Sequence, residues 1–197
     1  MQTDGVIKFN CRLIESEPPG EAVIKELNQW REKLYRFGLI GQDKTGIGYG
    51  NISIRFNNEQ FIITGSQTGG IEHLSPEHYT IVTKADIGNN YIECKGNINA
   101  SSESLTHAVI YIQQPRAGAV VHIHSLDLWT KLLHKIPTTK KGIEYGTPEM
   151  AEEIARLLKS AEPGQGKIFA MASHAGGLVA YGGTLEEACN IFPGIEA

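Results

Sequence analysis

The run Gly118-Ala-Val-Val-His-Ile-His124 ends in two histidines one residue apart. Side chains alternate faces along an extended strand, so both imidazoles share one side, about 6–7 Å apart along the backbone. Two ligands of one metal ion need a spacing close to this. A third histidine, His174, follows a second apolar run, Lys167-Ile-Phe-Ala-Met-Ala-Ser173. Three imidazoles suit a divalent ion such as zinc and leave a coordination position open for chemistry. By ligand type alone, manganese, iron or cobalt fit about equally. A His-x-His pair on its own is as often a hydrogen-bonded core feature as a ligand pair. Its place at the end of an apolar strand, ahead of Ser125 and a helix, favours the ligand reading.

Glu103 follows Ser101 and Ser102, in what reads as the first turn of a helix. A carboxylate there complements the helix dipole, and beside a metal it can also take up and return a proton. The two serines sit where a helix N-terminus presents unpaired N–H groups to a phosphate. The loop Gly65-Ser-Gln-Thr-Gly-Gly70 adds Thr68 and Gly69, a hydroxyl and a backbone that allows close approach. Asn51 follows Gly48-Tyr-Gly50 and offers an amide. Each of these alone reads equally as turn or cap chemistry, so their meaning rests on convergence with the histidines. His73, His78, His107 and His134 read as surface or structural residues, and Trp30 and Trp129 as core.

Positioning such a set requires a sheet with helices around it. From Glu21, the residues Val23, Leu27, Trp30, Leu34 and Phe37 recur at helical spacing, with Gly38 and Gly41 as stops. Residues 52–56 and 60–64 alternate like paired strands about an Asn57-Asn58 turn. Ser75-Pro76-Glu77 resembles a helix start, and strands follow at 79–83 and 91–94. A helix opening at Ser101-Ser102 turns Leu105, Ala108, Val109 and Ile112 inward. The histidine strand precedes a helix over 126–134, and Thr147-Pro148-Glu149 starts another with Met150, Ile154, Leu157 and Leu158 inward. Strands at 168–172 and 178–181 lead to Thr184-Leu-Glu-Glu187, which has capping-box spacing. Short turns between strands predict a three-layer α/β/α fold with a central, mainly antiparallel sheet.

The chain has 197 residues, 41% apolar and 20% charged, with a formal net charge of −4. That length reads as one domain over 1–197, with residues 1–20 as an N-terminal arm that is either loose or an edge strand. The charge gives no electrostatic case for nucleic acid or an anionic membrane. No apolar run approaches the roughly 20 residues that span a bilayer, and the N-terminus lacks a secretion pattern. Cys11, Cys94 and Cys189 are odd in number and widely spaced, which suggests a reducing, cytoplasmic compartment.

Gly50-Asn51-Ile-Ser-Ile-Arg55, Thr68-Gly69, Ser101-Ser102-Glu103, His122-Ile-His124 and His174 occur in the order seen in the class II aldolase/adducin family. The chain resembles that family from about residue 21 to 188. The resemblance implies a fuculose-phosphate-aldolase-like fold, a cyclic homotetramer with sites between subunits, and zinc held by His122, His124 and His174. It makes Glu103 the catalytic acid/base and assigns substrate phosphate to Asn51, Thr68, Gly69, Ser101 and Ser102. The implied activity is retro-aldol cleavage of a small sugar phosphate to dihydroxyacetone phosphate and an aldehyde. Dehydratases, epimerases, decarboxylases and the non-catalytic adducin-like modules share the family. The three histidines argue against the last. Aligning Gly146-Thr147 with the family puts Gly142 where aldolases carry a proton-donating tyrosine, with Tyr145 close by.

Overall fold

The computed structural model describes residues 6–160 and 166–193. In chain order the elements are β1 (Asn10–Glu15), α1 (Glu21–Arg36), β2 (Gly41–Gln42), β3 (Gly48–Tyr49), β4 (Asn51–Arg55) and β5 (Phe61–Thr64). A single 3₁₀ turn, Pro76–His78, leads into β6 (Tyr79–Asp86), β7 (Tyr91–Gly96), α2 (Ser104–Gln113) and β8 (Ala119–His124). The remainder is α3 (Leu126–Leu132), α4 (Pro148–Ser160), β9 (Ile168–Ala170), β10 (Gly177–Gly182) and α5 (Leu185–Cys189).

Eight strands form one sheet in the order β1-β7-β6-β5-β4-β8-β10-β9, and β2 and β3 make a separate small hairpin. Every neighbouring pair is antiparallel except β1 with β7. The expected mainly antiparallel α/β/α sandwich is therefore the observed one. Alternation along the strands splits the core in two. Ala119, Val121 and Ile123 of β8 pack with Ile24, Leu27 and Leu34 of α1 and with α5. Val120, between them, faces the other layer with Leu105 and Val109 of α2 and Ile154 of α4. His122 and His124 continue the Val120 face beyond the point where the apolar packing ends.

Three local expectations need correction. In α1 the buried face is Ile24, Leu27, Arg31 and Leu34, whereas Val23 and Phe37 are 45% and 53% exposed. The helix is turned so that a basic residue goes inside, because backbone carbonyls there satisfy it. α2 begins at Ser104, with Glu103 at its N-cap instead of in its first turn, and Ile112 is exposed. Wedged between sheet and α4, that helix is buried on all sides up to Tyr111, so no single stripe describes it. Ser75 opens only the 3₁₀ turn, since Tyr79 is already paired with Thr64 in the sheet. Of the two forms expected of the N-terminal arm, the structure shows the edge strand, β1, with the first five residues lying outside the described ones.

Candidate metal centre

Pairing of β8 with β10 in the register His124↔Gly177 and His122↔Val179 brings the third histidine to the other two. His174 lies in the tight turn before β10, where its N–H donates to the Met171 carbonyl and its own carbonyl accepts from Gly177. A Cβ at Gly177 would sit 2.5 Å from His174 Cδ2, so glycine is what lets the imidazole lie back over the turn. One ring nitrogen from each of His122, His124 and His174 falls within 4.8 Å of the others. His124 Nε2 and His174 Nε2 are 2.9 Å apart.

All three rings are held neutral, the form a metal requires. Burial lowers His122 well below the usual imidazole range, with His124, His174 and His107 adding to it. His174 is likewise lowered by burial, then by His124 and Lys8. Burial brings His124 to about 4. The nitrogen His122 Nε2 is buried and has no hydrogen-bond partner among the described residues, a costly state that an ion would relieve. Its other nitrogen, Nδ1, is 3.3 Å from Asn51 Nδ2, while Asn51 Oδ1 is buried without a partner. A half-turn of the amide brings Oδ1 to accept from Nδ1–H, which frees the Nε2 lone pair for a metal. The donor set therefore fits a divalent ion.

Around the imidazoles one cleft is lined by Asn51, Thr68, Gly69, Ser101, Ser102, Glu103, His122, His124 and His174 together. Every site residue singled out in the sequence is thus in one place. Glu103 is 2% exposed, with Oε1 3.9 Å from His174 Nε2 and Oε2 accepting from the Thr106 hydroxyl at 2.9 Å. Ser101 Oγ accepts from the Glu103 N–H, and the Ser101 carbonyl accepts from Ser104 Oγ. The Thr68 hydroxyl donates to the Gly65 carbonyl. Gly69 is wedged so closely that a Cβ would lie 2.4 Å from the Gly41 carbonyl oxygen.

The profile of the Class II Aldolase and Adducin N-terminal domain family matches residues 29–197. The chain belongs to that family. A probable L-ribulose-5-phosphate 4-epimerase of Mycoplasma pneumoniae is 28% identical over 104 residues, 51% of this chain and 41% of that protein. The match thus spans less than half of the epimerase. A 3-oxo-tetronate 4-phosphate decarboxylase of Haemophilus influenzae is 26% identical over 165 residues, 73% of this chain and 71% of the other. In fold, an L-fuculose 1-phosphate aldolase superposes with a TM-score of 0.67 at 22% identity, covering 89% of this chain and 82% of its own.

Within this class II aldolase/adducin domain, three side chains of the cleft stand outside the predicted set. Tyr49 and Gln67 line it, and the Tyr49 ring lies 5.3 Å from that of His124. Tyr145, considered only as a weak candidate, is 1% exposed and its ring lies 4.8 Å from His174. Lys8 Nζ sits 3.8 Å from the centroid of the Tyr145 ring and pairs with Glu144 at 3.0 Å. Gly142, the position aligned with the family's tyrosine, is exposed instead. Nothing in local spacing marks Tyr145, because a crossover between α3 and α4 delivers it.

Proposed function

We propose that the chain is a metal-dependent lyase that cleaves a small sugar phosphate by a retro-aldol step, releasing dihydroxyacetone phosphate and an aldehyde. One observation carries the reading. Three neutral imidazoles and a buried carboxyl group converge in one cleft that is also lined by serine and threonine residues and glycine-rich backbone. When bound by His122, His124 and His174, zinc, or alternatively Mn2+, Fe2+ or Co2+, supplies Lewis acidity toward a carbonyl oxygen. Ser101, Ser102, Thr68, Gly69 and Asn51 hold the phosphate and fix the register of the substrate. As the C3–C4 bond breaks, Tyr145 in its phenolate form takes the proton from the C4 hydroxyl and Glu103 in its carboxylic acid form delivers one to C3, one proton gained and one lost by the pair. Thr106 holds the second oxygen of Glu103, leaving Oε1 toward the reacting carbon. A cytoplasmic homotetramer acting on this small molecule, with neither nucleic acid nor membrane as partner, completes the proposal.

Replacing Glu103 by Gln is expected to leave metal content intact and to lower turnover by about 10²-fold or more. Unchanged turnover removes Glu103 from the mechanism. A second reading, decarboxylation of a phosphorylated 3-oxo acid, is favoured by the 26% match over 165 residues to a protein of that name. NMR of products from a sugar-phosphate panel separates the two, since only cleavage yields dihydroxyacetone phosphate. The same assay reveals dehydration or epimerisation. A protein purified without any bound divalent metal would instead point to a non-catalytic adducin-like module.

A further inference from the structure

Arg31 is wholly buried in α1, and among the described residues no carboxylate pairs with it. The two terminal nitrogens of its guanidinium donate to one loop, while Nε is buried without a partner among the described residues. Nη1 donates to the Glu72 carbonyl at 2.6 Å, and Nη2 donates to the carbonyls of Thr68 and Gly69, each at 2.9 Å. A buried cation is costly unless something nearby uses its charge. In a trans peptide the C=O and N–H point in opposite directions. Fixing the Thr68 and Gly69 carbonyls toward α1 therefore turns the N–H groups of Gly69 and Gly70 away from it. Among the described residues those two N–H groups have no acceptor. Thr68 and Gly69 line the metal-centre cleft, and a Cβ at Gly69 would meet the Gly41 carbonyl of β2 and the Tyr49 backbone of β3.

We propose that Arg31 is the positioning residue of an anion cradle, holding the Thr68–Gly69 segment so that the Gly69 N–H is presented to the cleft to receive a phosphate. The inference rests on the reading above that this loop meets the substrate's phosphate. Each carbonyl it grips is polarised, which strengthens the donor on the far side of the same peptide. The bound dianion adds to the negative charge that Glu32 and Glu72 already direct at Arg31.

The test follows backbone amides by NMR while inorganic phosphate is titrated into the zinc-loaded protein. The Gly69 amide proton is expected to move downfield on saturation. The affinity read from it is expected to fall at least tenfold in Arg31→Met and by a smaller factor in Arg31→Lys, with zinc content unchanged. An Arg31→Met protein that melts lower yet binds phosphate within twofold of the parent shows a merely structural role and overturns the proposal. Should Arg31→Met fail to fold, parental affinity in Arg31→Lys overturns it equally. In the parent protein, a response confined to Ser101 and Ser102 overturns the cradle and leaves the phosphate reading standing. No response anywhere in the cleft overturns both.

Discussion

Tyr145 is buried between a cation and an imidazole, with Lys8 against its ring and His174 within stacking distance. Tyr145→Phe keeps that ring and removes the hydroxyl alone. It is expected to retain the metal and to lower kcat for cleavage by about 10²-fold; a variant with full activity would move the proton to another group. His122 and His124 were legible because a period of two needs only a strand to be meaningful. Glu103 was legible as a residue and misjudged by one position as a helix element, since the last non-helical residue and the first turn look alike in sequence. Tyr145 was hardly legible, because the fold brings it to His174 across 29 residues of chain.

At the scale of elements, the contact between β4 and α2 shows what burial does to an imidazole. His107 Nδ1 lies 2.7 Å from Ser53 Oγ, which is 2.8 Å from the Tyr111 hydroxyl, and burial lowers His107 to about 3. An unfolded histidine titrates near 6.5. Between about pH 6.5 and 3 the unfolded chain therefore binds a proton that the folded one refuses, and stability falls as pH falls. His124, lowered to about 4, acts in the same direction. The urea midpoint of the metal-free protein is expected to be lower at pH 5 than at pH 7; an equal or higher value at pH 5 contradicts neutral burial. Helices with one buried face, such as α4 with Met150, Ile154, Leu157 and Leu158, were legible from periodicity. α1 was legible as a helix but not in its rotation: Leu27 and Leu34 belong to both candidate stripes, and only the loop carbonyls decide that Arg31 goes in.

Across the whole molecule, the site needs pieces that are far apart in the chain. β8 supplies two imidazoles, the turn before β10 the third, the N-terminus of α2 the carboxylate, and the crossover after α3 the phenol. The sheet order could be anticipated in class and not in detail, since alternation reveals which face a strand buries but not its neighbours. β1, the one strand added in parallel, was the least foreseeable, because its partner β7 lies about 80 residues away.

That strand has a consequence for how the protein breathes. Lys8 stands two residues ahead of β1, is tied through its carbonyl to Asn90, and reaches Tyr145 and Glu144 with its ammonium group. A metal held at the candidate centre would be linked through His174 and the Tyr145 ring to Lys8. Zinc is thus expected to slow hydrogen exchange of β1 amides, although no atom of β1 touches the ion; exchange indifferent to zinc would show the arm and the centre to be independent. A tag or fusion placed ahead of Phe9 is, in that light, expected to be felt at Tyr145, which lines the candidate metal centre.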